Sequence, residues 1–367
     1  MEDVFRFFLA GTLTHYGGLP NWGRIEAACG KQARQYLPRS LLTAFPVTGL
    51  GLPKASGVAK HLFQALEPYE DVEGFQLFID SGVYQLQRRY TKGKATREDF
   101  ERLHDTYLEF IREVAPALRD RIYGFAEVDA SLLFPDWLEK RYREEAMKVG
   151  EEVGVRCIPV WHQTAESFST LYKHYAKYPV VAIGTDLPKA GGKGSYDATF
   201  VWQATVTPLE VRGVKTHLFG VSYRGVLLNT VASSADSSIF TSVMYKIPTL
   251  SGQLIQTLQK AHANPKLLNA PERVLKAFLS LSDDGSALTK INFYWFITEH
   301  SCGRVWNRQL WFKLYEKYRW DEWDIWDKVG GLEGVHLLGR LAHLLMGREE
   351  GARDGWGYIR RVGLRKR

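Results

Sequence analysis

Phe75-Gln-Leu-Phe-Ile-Asp-Ser-Gly-Val-Tyr-Gln85 decides how the rest of the chain is read. Its first half is a short apolar run, Phe75, Leu77, Phe78 and Ile79, broken by Ser-Gly, and it predicts a buried strand entering a loop. Asp80 falls where that strand ends. In a sheet of parallel strands, the C-terminal ends are where catalytic groups gather. A carboxylate in Asp-Ser-Gly is equally an ordinary turn or helix cap.

Seven further runs carry the same strand pattern on either side. They are Phe5 to Ala10, Arg39 to Phe45 (stopped by Pro46), Ile122 to Asp129, Cys157 to His162, Val180 to Asp186, Lys215 to Ser222 and a short Ser233 to Ser238. Between them lie segments of crossover length. Phe100, Leu103, Tyr107, Phe110, Ile111 and Val114 share one face of a helix over 97–118. Pro135 to Val149, Glu166 to Tyr175 and roughly Arg224 to Val231 also read as helices. Alternating strands and helices imply a parallel sheet, and eight such units in about 240 residues make a (β/α)8 TIM barrel. A doubly wound sheet would want Gly-x-Gly-x-x-Gly after the first strand, and Phe8-Leu-Ala-Gly-Thr lacks it. The expected domains are a barrel over residues 1–245 and a helical, aromatic-rich, basic C-terminal region over 246–367.

Composition narrows the class. A hydrophobic content of 45% and a charged content of 24% are those of a soluble globular chain. The formal net charge of +7 is compatible with a polyanionic partner and equally with lysine-rich solubility. Arg348 to Arg367 holds seven basic residues against three acidic ones, concentrating that charge at the tail. Cys29, Cys157 and Cys302 are scattered and odd in number. They predict neither a disulfide framework nor a zinc site, and fit a reducing, cytoplasmic setting. Met1-Glu-Asp-Val-Phe is acidic where a signal peptide is basic, and no apolar run reaches the ~20 residues of a membrane span. No metal and no cofactor is expected.

Polar groups recur at the predicted strand ends: Asp80, Asp129, His162, Gln163, Asp186 and Asp236. Helix caps also favour Asp, so some of these positions have a structural reading. Two carboxylates at one site suit glycosidic cleavage. One attacks or stabilises the cationic sugar carbon while the other handles the proton on the leaving group.

Asp80-Ser-Gly-Val-Tyr-Gln85 resembles the Asp-Ser-Gly-Gly-Tyr/Phe-Gln motif of tRNA-guanine transglycosylases, TIM barrels that exchange a nucleobase in nucleic acid. Five of six positions match, with Val83 in place of the second Gly. Gly220-Val-Ser-Tyr followed by Ala235-Asp236-Ser-Ser-Ile is similar to that family's Gly-Val-Gly-Thr-Pro and Phe-Asp-Cys-Val segments. The resemblance implies that Asp236 is the nucleophile and Asp80 the general acid/base. It implies a base pocket from Ser81, Gly82, Tyr84, Gln85, Asp129, His162, Gln163, Gly184 and Asp186. Asp129-Ala-Ser, Val160-Trp-His-Gln163 and Ile183-Gly-Thr-Asp186 match the base-reading segments loosely.

The departures are equally informative. The family's Cys-x-Cys-x-x-Cys…His zinc site is missing, Ser237 replaces the Cys after the nucleophile, and the Pro-Thr-Arg continuation is absent. The chain looks closer to the shorter, zinc-free phage and mobile-element relatives that act on DNA bases. DNA is therefore preferred over tRNA as partner, with a free nucleobase as second substrate if exchange occurs. Lys189 and Lys193, in a Gly-rich loop, and Arg360, Arg361, Arg365, Lys366 and Arg367 are the expected nucleic-acid contacts.

Three readings follow. One is a base-exchanging transglycosylase, with a 7-deazaguanine as one incoming base. The second is a hydrolytic DNA glycosylase that excises a modified base, as in phage defence. The third is a non-catalytic nucleic-acid-binding barrel. Trp161 and Tyr84 either stack on a flipped base or pack the barrel. His162 is either a site residue or a core histidine, His217 reads as structural, and the Trp-rich stretch 293–326 reads as the core of a helical subdomain.

Overall fold

The computed structural model describes residues 5–10, 39–47, 51–184, 198–221, 230–237 and 304–328, with the single positions 334, 337, 338 and 341. All its strands are parallel and form one sheet that curls into a nearly closed barrel. They are β1 (Arg6–Ala10), β2 (Ser40–Ala44), β3 (Gln76–Asp80), β4 (Ile122–Ala126), β5 (Cys157–Ile158), β6 (Val160–Trp161), β7 (Val180–Ile183), β8 (Lys215–Leu218) and β9 (Ser234–Ser237). The order is β5-β4-β3-β2-β1-β9-β8-β7-β6.

The described residues hold nine strands, not the expected eight, and Pro159 is the reason. It has no N–H to give to a ladder, so it splits one predicted run into two short segments. Cys157–Ile158 pairs with β4, and Val160–Trp161 pairs with β7. The two ends of the strand order are thus joined through a single residue, whose carbonyl still accepts from the Ala182 N–H at 2.9 Å.

Alternation along the strands separates two cores. One set of side chains fills the barrel: Phe8, Ala10, Leu42, Phe78, Ala126, Ile158, Val160, Val180 and Ala182. The other set, including Phe7, Leu9, Leu77, Ile79, Phe125, Trp161 and Val181, faces the surrounding helices. These helices are α1 (Ala55–Leu66), α2 (Val83–Tyr90), α3 (Arg97–Leu118), α4 (Tyr142–Val153), α5 (Phe168–His174) and α6 (Ala198–Val211).

α3 has the predicted bounds. Thr96 and Asp99 form a reciprocal capping box at its start, and Phe100, Leu103, Tyr107, Phe110, Ile111 and Val114 are buried along one face. The helix expected over Pro135–Val149 is broken instead. Pro135–Lys140 is a 3-10 turn, Arg141 takes a left-handed conformation with φ 65°, and α4 begins at Tyr142. The break lets Trp137 turn inward. Its ring stacks on Tyr142 at 3.9 Å, and its indole N–H donates to the Val128 carbonyl at 2.9 Å. α5 starts two residues later than expected because Ser167 is its cap, accepting from the Thr170 N–H. The short helix expected near 224–231 lies almost entirely outside the described residues.

The described part of the C-terminal region is not a separate core. Helix α7 (Arg304–Tyr318) and the two 3-10 turns after it lie on α5 and α6. Trp311, Trp320 and Trp326 are buried in the same cluster as the outer barrel layer. The Trp320 indole donates to the Ala204 carbonyl at 3.1 Å, and Trp326 packs against Phe168. Arg212 pairs with the buried Asp321 across this joint. The tryptophans thus bind the tail segment to the barrel wall instead of forming a core of their own.

Candidate active site

Parallel strands place every strand C-terminus at one end of the barrel, and Asp80, Asp129, His162 and Asp236 lie toward that end. Asp80 is the last residue of β3. It shares the inner face with Phe78, two residues before it. Asp236 lies in register with Phe8, which also faces inward. Both carboxylates therefore occupy the barrel mouth from the inside. Burial raises the Asp80 carboxyl to about 7, with the charge of Asp236 as the next cause and that of Asp129 a smaller one; the Ser81 and Gly82 N–H groups oppose the rise.

The turn after Asp80 is tightly built. The Phe45 N–H donates to the Asp80 carbonyl at 2.8 Å, and the Tyr107 hydroxyl donates to the Ile79 carbonyl at 3.1 Å. Ser81 is buried, its hydroxyl accepting from the Val83 N–H at 3.4 Å. Gly82 is left-handed at φ 72° and caps α2. Gln85 is half-buried in the first turn of α2, while Tyr84 stands 63% exposed on the rim. The glutamine that ties this helix to the site is Gln87, whose amide donates to the Asp129 carbonyl at 3.0 Å. The motif comparison missed it, because it lies one helical step beyond the motif.

Asp129 lies three residues past β4, buried at the same end. Ser131 donates to its Oδ1 at 2.9 Å, and Nε2 of His162 sits against Oδ2. His162 directly follows β6 and is buried. Gln163 is buried, and neither the N nor the O of its side-chain amide has a hydrogen-bond partner among the described residues. Each such unpaired group costs about 1–3 kcal/mol. The amide offers one donor face and one acceptor, the pairing that a nucleobase edge presents. Gly184 follows β7, but its N–H is already donated to the Trp161 carbonyl at 2.8 Å.

Trp161 does not reach the mouth. It points outward, fully buried against Phe168, with its indole N–H on the Ser167 carbonyl. The stacking role is therefore replaced by barrel packing. Asp186, Lys189, Lys193, Arg360, Arg361, Arg365, Lys366 and Arg367 lie outside the described residues, as do Cys29 and Cys302. Cys157 is buried, and burial pushes its thiol well up. Among the described residues no group of three or more His, Cys, Asp or Glu is arranged to hold a metal ion, and no helix is long and apolar enough to cross a membrane.

The residue most underrated by sequence is His217. Its strand neighbours are apolar, which suggested a structural role. It lies on the inner face of β8, fully buried. Its Nε2 is 3.3 Å from Oδ1 of Asp236, and its Nδ1 is 3.0 Å from the Ser234 hydroxyl. Phe78, Phe219 and Phe8 surround the ring at centroid distances of 4.6, 4.8 and 5.8 Å. Burial in that aromatic box lowers the imidazole pKa, with Asp236 opposing. The Gly220 N–H donates to the same Oδ1 of Asp236 at 2.8 Å.

A second buried network stands behind the mouth. Arg143 makes two 2.7 Å hydrogen bonds to Glu127, whose Oε1 also accepts the Val160 N–H at 2.8 Å. Tyr175 accepts from Arg143 and adjoins Glu166, whose carboxyl burial raises to about 7. Its pairs satisfy one another, so it reads as a brace between β4, β6, α4 and α5.

Comparison with protein-family models, with curated proteins and with solved structures finds no match to this chain.

Proposed function

We propose that the chain is a glycosyl-bond enzyme that releases a nucleobase from nucleic acid, DNA in preference to tRNA. The observation that carries this reading is the coupling of Asp80 and Asp236. Two carboxyls share the inside of one barrel mouth, and the charge of Asp236 helps keep a proton on Asp80 near neutrality. A pair with one ionised and one protonated member is what N-glycosidic cleavage uses. A barrel that only bound nucleic acid would gain nothing from two carboxyls coupled inside its mouth.

In this reading the target base is flipped out of the stack into the mouth. A carboxylate oxygen of Asp236 attacks C1′. The C1′–N bond breaks, its electron pair moves to the base nitrogen, and Asp80 delivers the proton that neutralises the departing base. In exchange, a nitrogen of the incoming base attacks C1′, the C1′–O electron pair returns to Asp236, and the proton of the incoming base goes to Asp80. In hydrolysis, water replaces that base and leaves an abasic site. Gln163, with its unpaired amide, is the candidate reader of the base edge.

The test is incubation of the full chain with plasmid DNA, phage DNA and tRNA, each with and without added guanine and 7-deazaguanine bases. Mass spectrometry then scores released and incorporated bases. Release without incorporation selects hydrolysis, and incorporation selects exchange. No release from any substrate sinks the reading.

A further inference from the structure

We propose that His217 is a positioning residue for Asp236: its imidazole donates from Nε2 to Oδ1, and with the Gly220 N–H it occupies that oxygen, leaving Oδ2 to meet the sugar. The inference rests on the reading of Asp236 as nucleophile.

The geometry constrains the tautomer. A carboxylate only accepts, so the 3.3 Å contact with Oδ1 requires the proton on Nε2. In a neutral ring Nδ1 is then bare and must accept, and Ser234 is its donor at 3.0 Å. The alternative acceptor for that hydroxyl, the Thr216 carbonyl, is farther at 3.5 Å. The contacts run Ser234, His217, Asp236 through the barrel interior, with the Tyr123 phenol beyond Ser234. Aromatic rings fill the rest of the box, where a cationic imidazole would be poorly solvated.

Other ionisable groups face this cluster from two sides. Asp80 on β3 faces Asp236 across the mouth, and Arg6 on β1 lies toward Tyr123 at the opposite end. Neither hydrogen-bonds the imidazole. Two donors on one oxygen fix the plane of the carboxylate. In the proposed role the second oxygen, Oδ2, is the one that attacks C1′.

Two substitutions separate positioning from packing. His217→Phe keeps a ring in the aromatic box but removes the donor. His217→Gln restores an amide N–H near the place of Nε2. Single-turnover base release from plasmid DNA should fall about 10- to 100-fold in His217→Phe, the span of one hydrogen bond to a charged group. DNA affinity should be unchanged. His217→Gln should recover most of the rate. In the unmodified protein, nitrogen-15 NMR should find His217 neutral with its proton on Nε2 at neutral pH, because burial lowers its pKa. A proton on Nδ1, a charged ring there, or a wild-type rate in His217→Phe overturns the inference. Equal losses in both variants also overturn it, since packing then explains the effect. Asp236→Asn is the control: if it releases base at the normal rate, the nucleophile reading has failed and there is nothing for His217 to position.

Discussion

The carbonyl oxygen of Phe45 lies so close to Gly82 that a β-carbon at that position would overlap it. The same glycine is left-handed, and its N–H faces the Asp80 carboxyl. Chain direction, close approach and the site thus meet at one residue. Gly82→Ala must either shift the Phe45 backbone or unwind the turn. It should cost on the order of 3 kcal/mol, more than the ordinary penalty of a left-handed alanine, because the obstacle is backbone. Urea midpoints check it. A variant within about 0.5 kcal/mol of wild type, the usual effect of a neutral surface change, would mean that the turn is soft.

The Asp80 carboxyl makes stability depend on pH with an unusual sign for an acid. Its folded value of about 7 lies above its ordinary 3.8. The folded chain keeps a proton that the unfolded chain gives up. This stabilisation is complete below about pH 4 and disappears as pH rises through about 7. Asp80→Asn cannot ionise and still accepts the Ser81 and Gly82 N–H groups. It should therefore be more stable than wild type above about pH 7, by on the order of 2 kcal/mol, less than the full shift because Asp80 is partly exposed at the mouth. The two proteins should converge near pH 4. A stability difference that is flat across that range would refute the raised value. In base release, wild type should lose rate above about pH 7 as Asp80 deprotonates, and Asp80→Asn should lack that limb.

Asp236→Asn retains size and can still accept from the Gly220 N–H and His217. It lacks the charge that stabilises a cationic sugar carbon. Base release should fall by roughly 1000-fold, as when a preorganised electrostatic group is removed. Binding should persist, because phosphate contacts carry affinity. Combined with Asp80→Asn, the loss should be far less than additive, because the two act as one unit. Normal turnover in Asp236→Asn would redirect the search to Asp129 or Asp186.

Glu210 is the hub that fastens β8, the approach to β9 and the C-terminal helix α7 together. Its carboxylate accepts from the Thr216 N–H and hydroxyl at 2.7 and 2.6 Å, the Ser233 N–H and hydroxyl at 2.9 and 3.0 Å, and Arg308 at 3.2 Å. Burial raises its pKa and these donors oppose the rise. Glu210→Ala strands all of them and should cost about 3–5 kcal/mol. Hydrogen exchange should quicken in β8, β9 and α7 together. Loss of protection confined to α7 would show that Arg308 alone matters.

Much of the site follows from local chemistry. Short apolar runs closed by Gly, Pro or Ser predicted the strands, and the heptad-like spacing of Phe100 to Val114 predicted α3, because these signals depend only on neighbouring residues. The positions of Asp80, Asp129 and His162 at strand ends were legible for the same reason: each follows or ends an apolar run, and parallel strands gather those ends; Asp236, set among serines, was singled out by the motif resemblance. Three helices, α1, α2 and α6, were not foreseen. α6 mixes β-branched residues with Pro208, a weak helical pattern that only its contacts with β8 and α7 sustain.

Partnership across the barrel was decided by tertiary structure alone. No local pattern says that His217 faces Asp236 and not a helix, since a one-residue slip of β8 would turn it outward. The same holds for Trp161, an attractive stacking residue by type, which alternation sends to the outer core. Nor does sequence spacing reveal that two carboxyls far apart in the chain share one mouth and that the charge of Asp236 helps raise the Asp80 carboxyl. That follows from closing the sheet, which fixes distance and solvent exposure at once, and Coulomb coupling depends on both.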